Sequence, residues 1–255
     1  MEVSKNKFID SAQKSSSSDT KEEKLREIAI PGEKIVSGDD FLPGDWTRRE
    51  GKDIVASRYG IVEKQGRLVR IIPLSGVYVP RRGNIVVGQV IDIVFNGWIL
   101  DINAPYNAFL SAMEAPRFIN KNELSEYFGF RDLVVAKVEN TRGRGIDLSL
   151  KSKNLGKLED GMAIFINSNK VPRVIGKEGS MINLIKEYTE CDIIVGQNGV
   201  IWIHGKNLEE ELLAKEAIIF ITEKATIFGL TEAVKEFLEK RKKKETKAEE
   251  KEEEN

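Results

Sequence analysis

Hydrophobic and polar positions change rhythm several times along the chain, and each change marks a different kind of structure. From Ile28, short apolar runs are punctuated by Gly and Pro, as in Ile30-Pro31-Gly32 and Leu42-Pro43-Gly44. Gln65-Gly66 then separates Ile61-Val62 from Leu68-Val69-Arg70-Ile71-Ile72. This spacing predicts a small all-β unit built from hairpins. Longer apolar runs follow at Val86–Val94, Gly97–Ile102, Ala108–Ser111, Leu133–Val138 and Gly145–Leu150, with a polar helical or irregular insertion between Glu114 and Phe130. Five strands in so short a span predict a small barrel.

Beyond a polar linker, Lys151–Lys157, the period alternates between strand and helix. Ala163–Ile166 reads as a strand, Gly179–Tyr188 as a helix with Ile182, Ile185 and Tyr188 on one side, and Asp192–Val195 and Val200–Ile203 as two further strands. Gln197-Asn198-Gly199 has the chemistry of a hairpin turn between those two strands. A long helix is expected from Leu208, and Thr231–Leu238 continues helically. At either end the apolar positions thin out. Residues 1–26 read as a disordered tail around Ser15-Ser16-Ser17-Ser18, and residues 236–255 as a charged disordered tail carrying Arg241-Lys242-Lys243-Lys244 before an acidic end.

Composition narrows the function classes. With 255 residues, 40% apolar and 32% charged, the chain can hold several small cores. Its 40 basic and 41 acidic residues nearly cancel, so any basic surface must be local. A single cysteine, Cys191, excludes internal disulfides and multi-cysteine zinc sites, and reads as a buried, inert thiol. The only histidine, His204, ends an apolar strand and reads as structural. Neither a Ser-His-Asp nor a Cys-His arrangement has support, and no Walker-type or Rossmann glycine pattern occurs. The chain is expected to be non-catalytic, with no metal and no cofactor. No apolar run approaches transmembrane length and no signal-peptide core opens the chain, so a cytoplasmic protein without membrane contact is expected.

The candidate chemistry lies in Val174-Ile175-Gly176-Lys177-Glu178-Gly179-Ser180. Two glycines let the backbone bend sharply and leave room for a close-lying strand of phosphates. The amides that open the next helix are unsatisfied donors at the positive end of its dipole. Lys177, Arg173 and Lys170 add positive charge beside them, while Glu178 adds a negative one. With the surrounding strands and helices, this loop resembles that of the KH domain over Leu158–Gly229. The resemblance implies that Gly176 and Gly179 bracket a clamp for about four nucleotides.

Gly83-Asn84-Ile85-Val86-Val87-Gly88, Gly97 with Asp101, and the closing Ile146-Asp147-Leu148-Ser149-Leu150-Lys151 resemble the OB-fold RNA-binding module repeated in ribosomal protein S-one. Where that family commonly presents two aromatics and a histidine, this sequence has Asn96, Ile99 and Ser111. Trp98 and Phe95 flank the same turn and offer another stacking platform. Strand alternation puts Trp98 and Ile99 on opposite faces, so only one of them can face the barrel interior. Arg142-Gly143-Arg144-Gly145 makes the last hairpin turn basic and flexible, at a position where OB folds meet nucleic acid. The expected RNA-contacting residues are therefore Lys170, Arg173, Gly176, Lys177, Gly179, Trp98, Arg142 and Arg144.

The fold class expected is multidomain: an N-terminal β domain over 27–78, an S-one-like barrel over 79–152 and an α+β KH domain over 153–235. That combination resembles the archaeal exosome RNA-binding subunit of the ribosomal-RNA-processing-protein-four family. Locally matching stretches are Asp53–Gly60, Tyr78–Gly83 and Asn167–Lys177. The resemblance implies a homotrimeric cap on a hexameric ring of two phosphorolytic nuclease subunits. The cap would pass single-stranded RNA 3′ ends inward, and could be mixed with a zinc-ribbon cap protein. Polynucleotide phosphorylase has KH before the barrel and catalytic domains ahead of both, an order this chain does not follow. An RNA-binding translation or ribosome-assembly factor is the alternative reading, and a scaffold that never touches RNA a third.

Overall fold

The computed structural model describes residues 27–117, 119–120, 123–143, 145–224 and 229–253, with side chains to residue 241. The expected N-terminal tail, residues 1–26, lies outside the described residues, as does Arg144.

Seven short strands come first among the described residues: β1 (Ile28–Ala29), β2 (Lys34–Ser37), β3 (Leu42–Pro43), β4 (Thr47–Glu50), β5 (Asp53–Ala56), β6 (Gly60–Gln65) and β7 (Leu68–Pro73). They form one sheet in the order β1-β6-β7-β3 and another in the order β2-β5-β4. Gln65 pairs with Leu68, so the β6–β7 hairpin turns on Gly66 and Arg67 alone. Gly66 has φ +58, the conformation such a two-residue turn requires. Ala29, Ala56 and Ile71 are packed together between the sheets, with Ile35, Val62 and Trp46 closing around them.

Five long strands then close into a barrel: β8 (Ile85–Val94), β9 (Gly97–Asp101), β10 (Ala108–Ser111), β11 (Leu133–Arg142) and β12 (Gly145–Ser149). The circuit runs β8-β9-β10-β12-β11 and back to β8. Only β10 and β12 are parallel. Closure gives every one of the five strands a neighbour on both sides. The inward positions Val86, Val90, Leu100, Leu110, Val134, Ala136 and Leu148 make one apolar core. Helix α1 (Leu124–Tyr127) lies in the insertion before β11 and brings Leu124 and Phe128 into that core. Next comes β13 (Gly156–Leu158), which pairs with β11. The sequence assigns these residues to the approach to the KH domain, yet they extend the barrel sheet.

The last domain contains β14 (Met162–Phe165), α2 (Val171–Ile175), α3 (Ser180–Thr189), β15 (Asp192–Val195), β16 (Val200–His204), α4 (Leu208–Glu223) and α5 (Leu230–Glu253). Its antiparallel sheet has the order β14-β16-β15. Val174, Met181 and Ile185 from α2 and α3, with Ala214, Ala217 and Ile218 from α4, cover Ile193, Ile201 and Ile203 of the sheet. Cys191 is buried in the same core. Burial raises its thiol pKa, which suits an inert packing role.

Helix α5 departs from the sequence reading. A disordered tail is expected from residue 236, but the helix runs on to Glu253. Leu230, Val234 and Leu238 are buried against the core, and the Phe237 ring stacks on Phe220 with centroids 4.7 Å apart. The apolar stripe at 230, 234, 237 and 238 has helical spacing, and the Lys- and Glu-rich residues beyond it are good helix formers.

Barrel and KH domain are joined through the Gln197-Asn198-Gly199 turn. Asn198 is fully buried. Its Nδ2 donates to the Val87 carbonyl at 2.7 Å and to the Ile102 carbonyl at 2.9 Å, while Oδ1 accepts from the Val87 N–H at 3.3 Å. Gln197 exchanges two more bonds with the Ile85 backbone. Val87, Val135 and Val200 pack beneath this seam.

Candidate nucleic-acid interface

Helix α2 has only five residues, with Pro172 in its first turn, where a missing N–H costs nothing. It stops at Gly176, whose φ of +75 and ψ of 178 turn the chain out of the helix. The Gly176 N–H closes the last turn on the Pro172 carbonyl at 3.0 Å. A Cβ at Gly176 would lie 2.7 Å from both the backbone N and the Cβ of Met181, so no side chain fits. Glu178 and Gly179 also hold positive φ, +55 and +81, before α3 begins at Ser180.

This geometry sets the first amides of the ten-residue α3 behind an exposed two-residue loop, Lys177-Glu178. Lys170, at the end of a short 3-10 turn, and Arg173, on α2, are half-buried, and Lys177 is exposed. Among the described residues, none of these three cations forms an ion pair or a side-chain hydrogen bond. Elsewhere cations are engaged: Lys157 with Asp132 at 2.7 Å, Lys151 with Glu114 at 2.8 Å, Arg241 with Glu216 at 2.7 Å. Unspent positive charge beside helix amides has the chemistry to hold an anion, and a row of it suits a polyanion. Lys170, Arg173, Gly176, Lys177 and Gly179 thus share one continuous segment, as the sequence suggests.

The family pattern of the KH domain matches residues 161–209. The protein named exosome complex component Rrp4 from Thermococcus kodakarensis is 43% identical over 221 residues, covering 84% of this chain and 86% of the relative. Its namesake from Methanothermus fervidus is 41% identical over 216 residues, covering 84% and 96%. The chain belongs to the Rrp4 family. A solved structure of an exosome complex RNA-binding protein superposes with a TM-score of 0.61 at 34% identity, covering 66% of this chain and 98% of that one.

Elsewhere on this Rrp4-family chain the expected site residues fare unevenly. Trp98 is a correction. Its side chain is fully buried, and its indole N–H is shared between the Leu124 and Phe128 carbonyls, each at 3.1 Å. The ring meets Phe128 edge-on at a centroid distance of 5.0 Å. Trp98 pairs with Leu110 on the inner face of the barrel, so it has no free face for a base. The same pairing puts Ile99 opposite Phe109 on the outer face. Phe95 is 74% exposed at the β8–β9 turn. Arg142 is exposed and pairs with Gly145 at the β11–β12 hairpin, away from the Phe95 end of the barrel.

Trp46 is half-buried against the Ile71 core, and the Arg58 guanidinium lies 3.8 Å from its ring centroid. His204 stacks on Trp202 with centroids 5.6 Å apart, in keeping with a structural role. Among the described residues no cluster of three or more His, Cys, Asp or Glu side chains comes together, and no helix is long and apolar enough to cross a membrane.

Proposed function

We propose that this chain is a non-catalytic, cytoplasmic RNA-binding cap subunit of an archaeal exosome. In this reading three copies sit on a hexameric ring of two phosphorolytic nuclease subunits, alone or mixed with a zinc-ribbon cap protein. They bind single-stranded RNA and feed its 3′ end inward for 3′-to-5′ degradation. The observation that carries the reading is the Gly176–Gly179 loop with unpaired Lys170, Arg173 and Lys177 around it, in a chain whose relatives bear the name of an exosome component.

RNA capture is electrostatic at the KH loop, where phosphates replace solvent around the three cations. Each copy holds RNA weakly, and three copies add avidity without stopping the strand from advancing. The N-terminal domain is the segment proposed to dock on the ring. Its exposed Ile28, Ile30, Leu42, Ile72 and Val77 give it the apolar surface an interface core needs. Arg142, with Arg144 beside it in sequence, is proposed to guide RNA at the mouth of the ring.

Mixing the purified chain with a purified nuclease ring tests this reading. Light scattering on the complex should give three copies per ring, and phosphate-dependent decay of single-stranded RNA should speed up. A chain that stays apart from the ring refutes it.

A further inference from the structure

A cleft of about 430 Å³ opens where the three domains meet. The N-terminal domain contributes Trp46 and Arg58, the connection into the barrel contributes Val79 and Arg81, and the KH domain contributes Asn169 and Pro172. This volume falls among those of small-ligand sites and accommodates one nucleotide.

Arg58 gives the cleft its chemistry. Its guanidinium Cζ lies 3.8 Å from the centroid of the Trp46 ring. Gly76 makes room for it, since a Cβ there would lie 2.9 Å from Nη1. Among the described residues Arg58 has neither an acidic partner nor a hydrogen bond. The other arginines of the cleft are engaged, Arg70 with Glu63 and Arg81 more loosely with Asp45 at 3.8 Å. Trp46 beneath it holds φ +61, a left-handed conformation rare for a bulky residue and kept only where the surroundings enforce it. The result is a guanidinium held against the Trp46 indole in the cleft wall, with its donors unspent among the described residues.

The cleft also adjoins the KH loop. Pro172 forms part of its wall, and the Pro172 carbonyl accepts the N–H of Gly176, the first glycine of the loop. Three helical residues separate Pro172 from Gly176, and the four steps between them rise about 6 Å. A strand clamped at Gly176–Gly179 therefore has the cleft immediately beside it.

We propose that this cleft is a further nucleotide subsite for single-stranded RNA, in which one base stacks on Arg58 and the adjoining phosphate meets the edge donors of the same guanidinium. A guanidinium plane stacks bases and its edge binds phosphate, two interactions that a single nucleotide satisfies together. Continuity with the loop favours RNA over an acidic peptide as the occupant. The proposal rests on the RNA-binding reading of that loop.

The test uses the full chain and a short fluorescein-labelled single-stranded RNA read by anisotropy. Arg58→Ala should weaken binding by about five- to tenfold, the loss of one stacked base. Arg58→Lys, which keeps the charge and loses the plane, should show most of the same weakening. In the unaltered chain, an RNA carrying 4-thiouridine should cross-link to peptides containing Trp46 or Tyr78, a readout independent of how the variants fold. Unchanged affinity in both variants, with weakening by substitutions in the Gly176–Gly179 loop, overturns the subsite and leaves the RNA-binding reading standing. Cross-links confined to other peptides overturn it as well. Variants that bind RNA normally but no longer join the nuclease ring would assign the cleft to a protein segment. If the unaltered chain binds no RNA, the reading of the loop falls, and this proposal with it.

Discussion

Asn198 Nδ2 lies 2.7 Å from the carbonyl oxygen of Val87, and this hydrogen bond joins residues 111 positions apart in two different domains. The same amide serves the Val87 N–H and the Ile102 carbonyl. Truncating Asn198 would leave three buried backbone groups without partners, each costing about 1–3 kcal/mol less any relief from water. Asn198→Ala should therefore lower the melting temperature by about 5–15 °C. Calorimetry on the full chain checks this, and Asn198→Leu, which keeps the bulk without the amide, should fare no better.

Trp98 should behave as a core residue. Trp98→Ala removes the largest fully buried side chain of the barrel and should cost about 3–5 kcal/mol. Trp98→Phe keeps most of the packing but strands the Leu124 and Phe128 carbonyls, so its cost should be smaller. Denaturant unfolding measures both. RNA affinity per folded molecule of Trp98→Phe should equal that of the unaltered chain.

The loop makes a separate prediction about binding. Gly176→Ala forces a Cβ into Met181 at positive φ, so it should displace the loop and weaken single-stranded RNA binding by about tenfold, for a distortion worth more than about 1 kcal/mol. Replacing Lys177 and Glu178 together with aspartate leaves the backbone intact. That pair should also weaken binding, and the slope of log affinity against log salt should fall by about one for each phosphate no longer neutralised. Anisotropy titrations at several salt concentrations distinguish the two effects.

Acid sensitivity should trace in part to Glu114. Hydrogen bonds from Lys151 and Ser149 hold its carboxyl below the usual carboxylate range. A depressed folded pKa contributes stability above the unfolded value of about 4.3, and this stability disappears as pH falls through the folded value. Lys151 is mostly exposed, so the gain is under about 1 kcal/mol. Glu114→Gln should melt slightly below the unaltered chain at neutral pH, and the gap should close in acid.

Local signals are legible in the sequence and distant ones are not. The Gly176–Gly179 loop can be read because its glycines, its cations and the helix that follows are neighbours in the chain. The barrel can be read from five apolar runs, since closure needs only their number and spacing. Trp98 cannot be assigned a face from alternation alone, because its pairing with Leu110 and the cover provided by Leu124 and Phe128 decide which side is inside. Asn198 reads as an ordinary hairpin residue, since its partners at Val87 and Ile102 belong to another domain. The helix beyond residue 236 is hidden by its charge, although Leu238 continues the apolar stripe into it. Arg58 and Trp46 form part of a cleft only once three domains have met.

Affinity purification of the tagged chain from its native cells tests the central claim most directly, with partners identified and the eluate assayed for RNA decay. The account predicts two nuclease-ring subunits in the eluate and 3′-to-5′ decay that requires phosphate. Ribosomal subunits in their place, with no phosphate-dependent decay, would contradict it and point to a translation or ribosome-assembly factor.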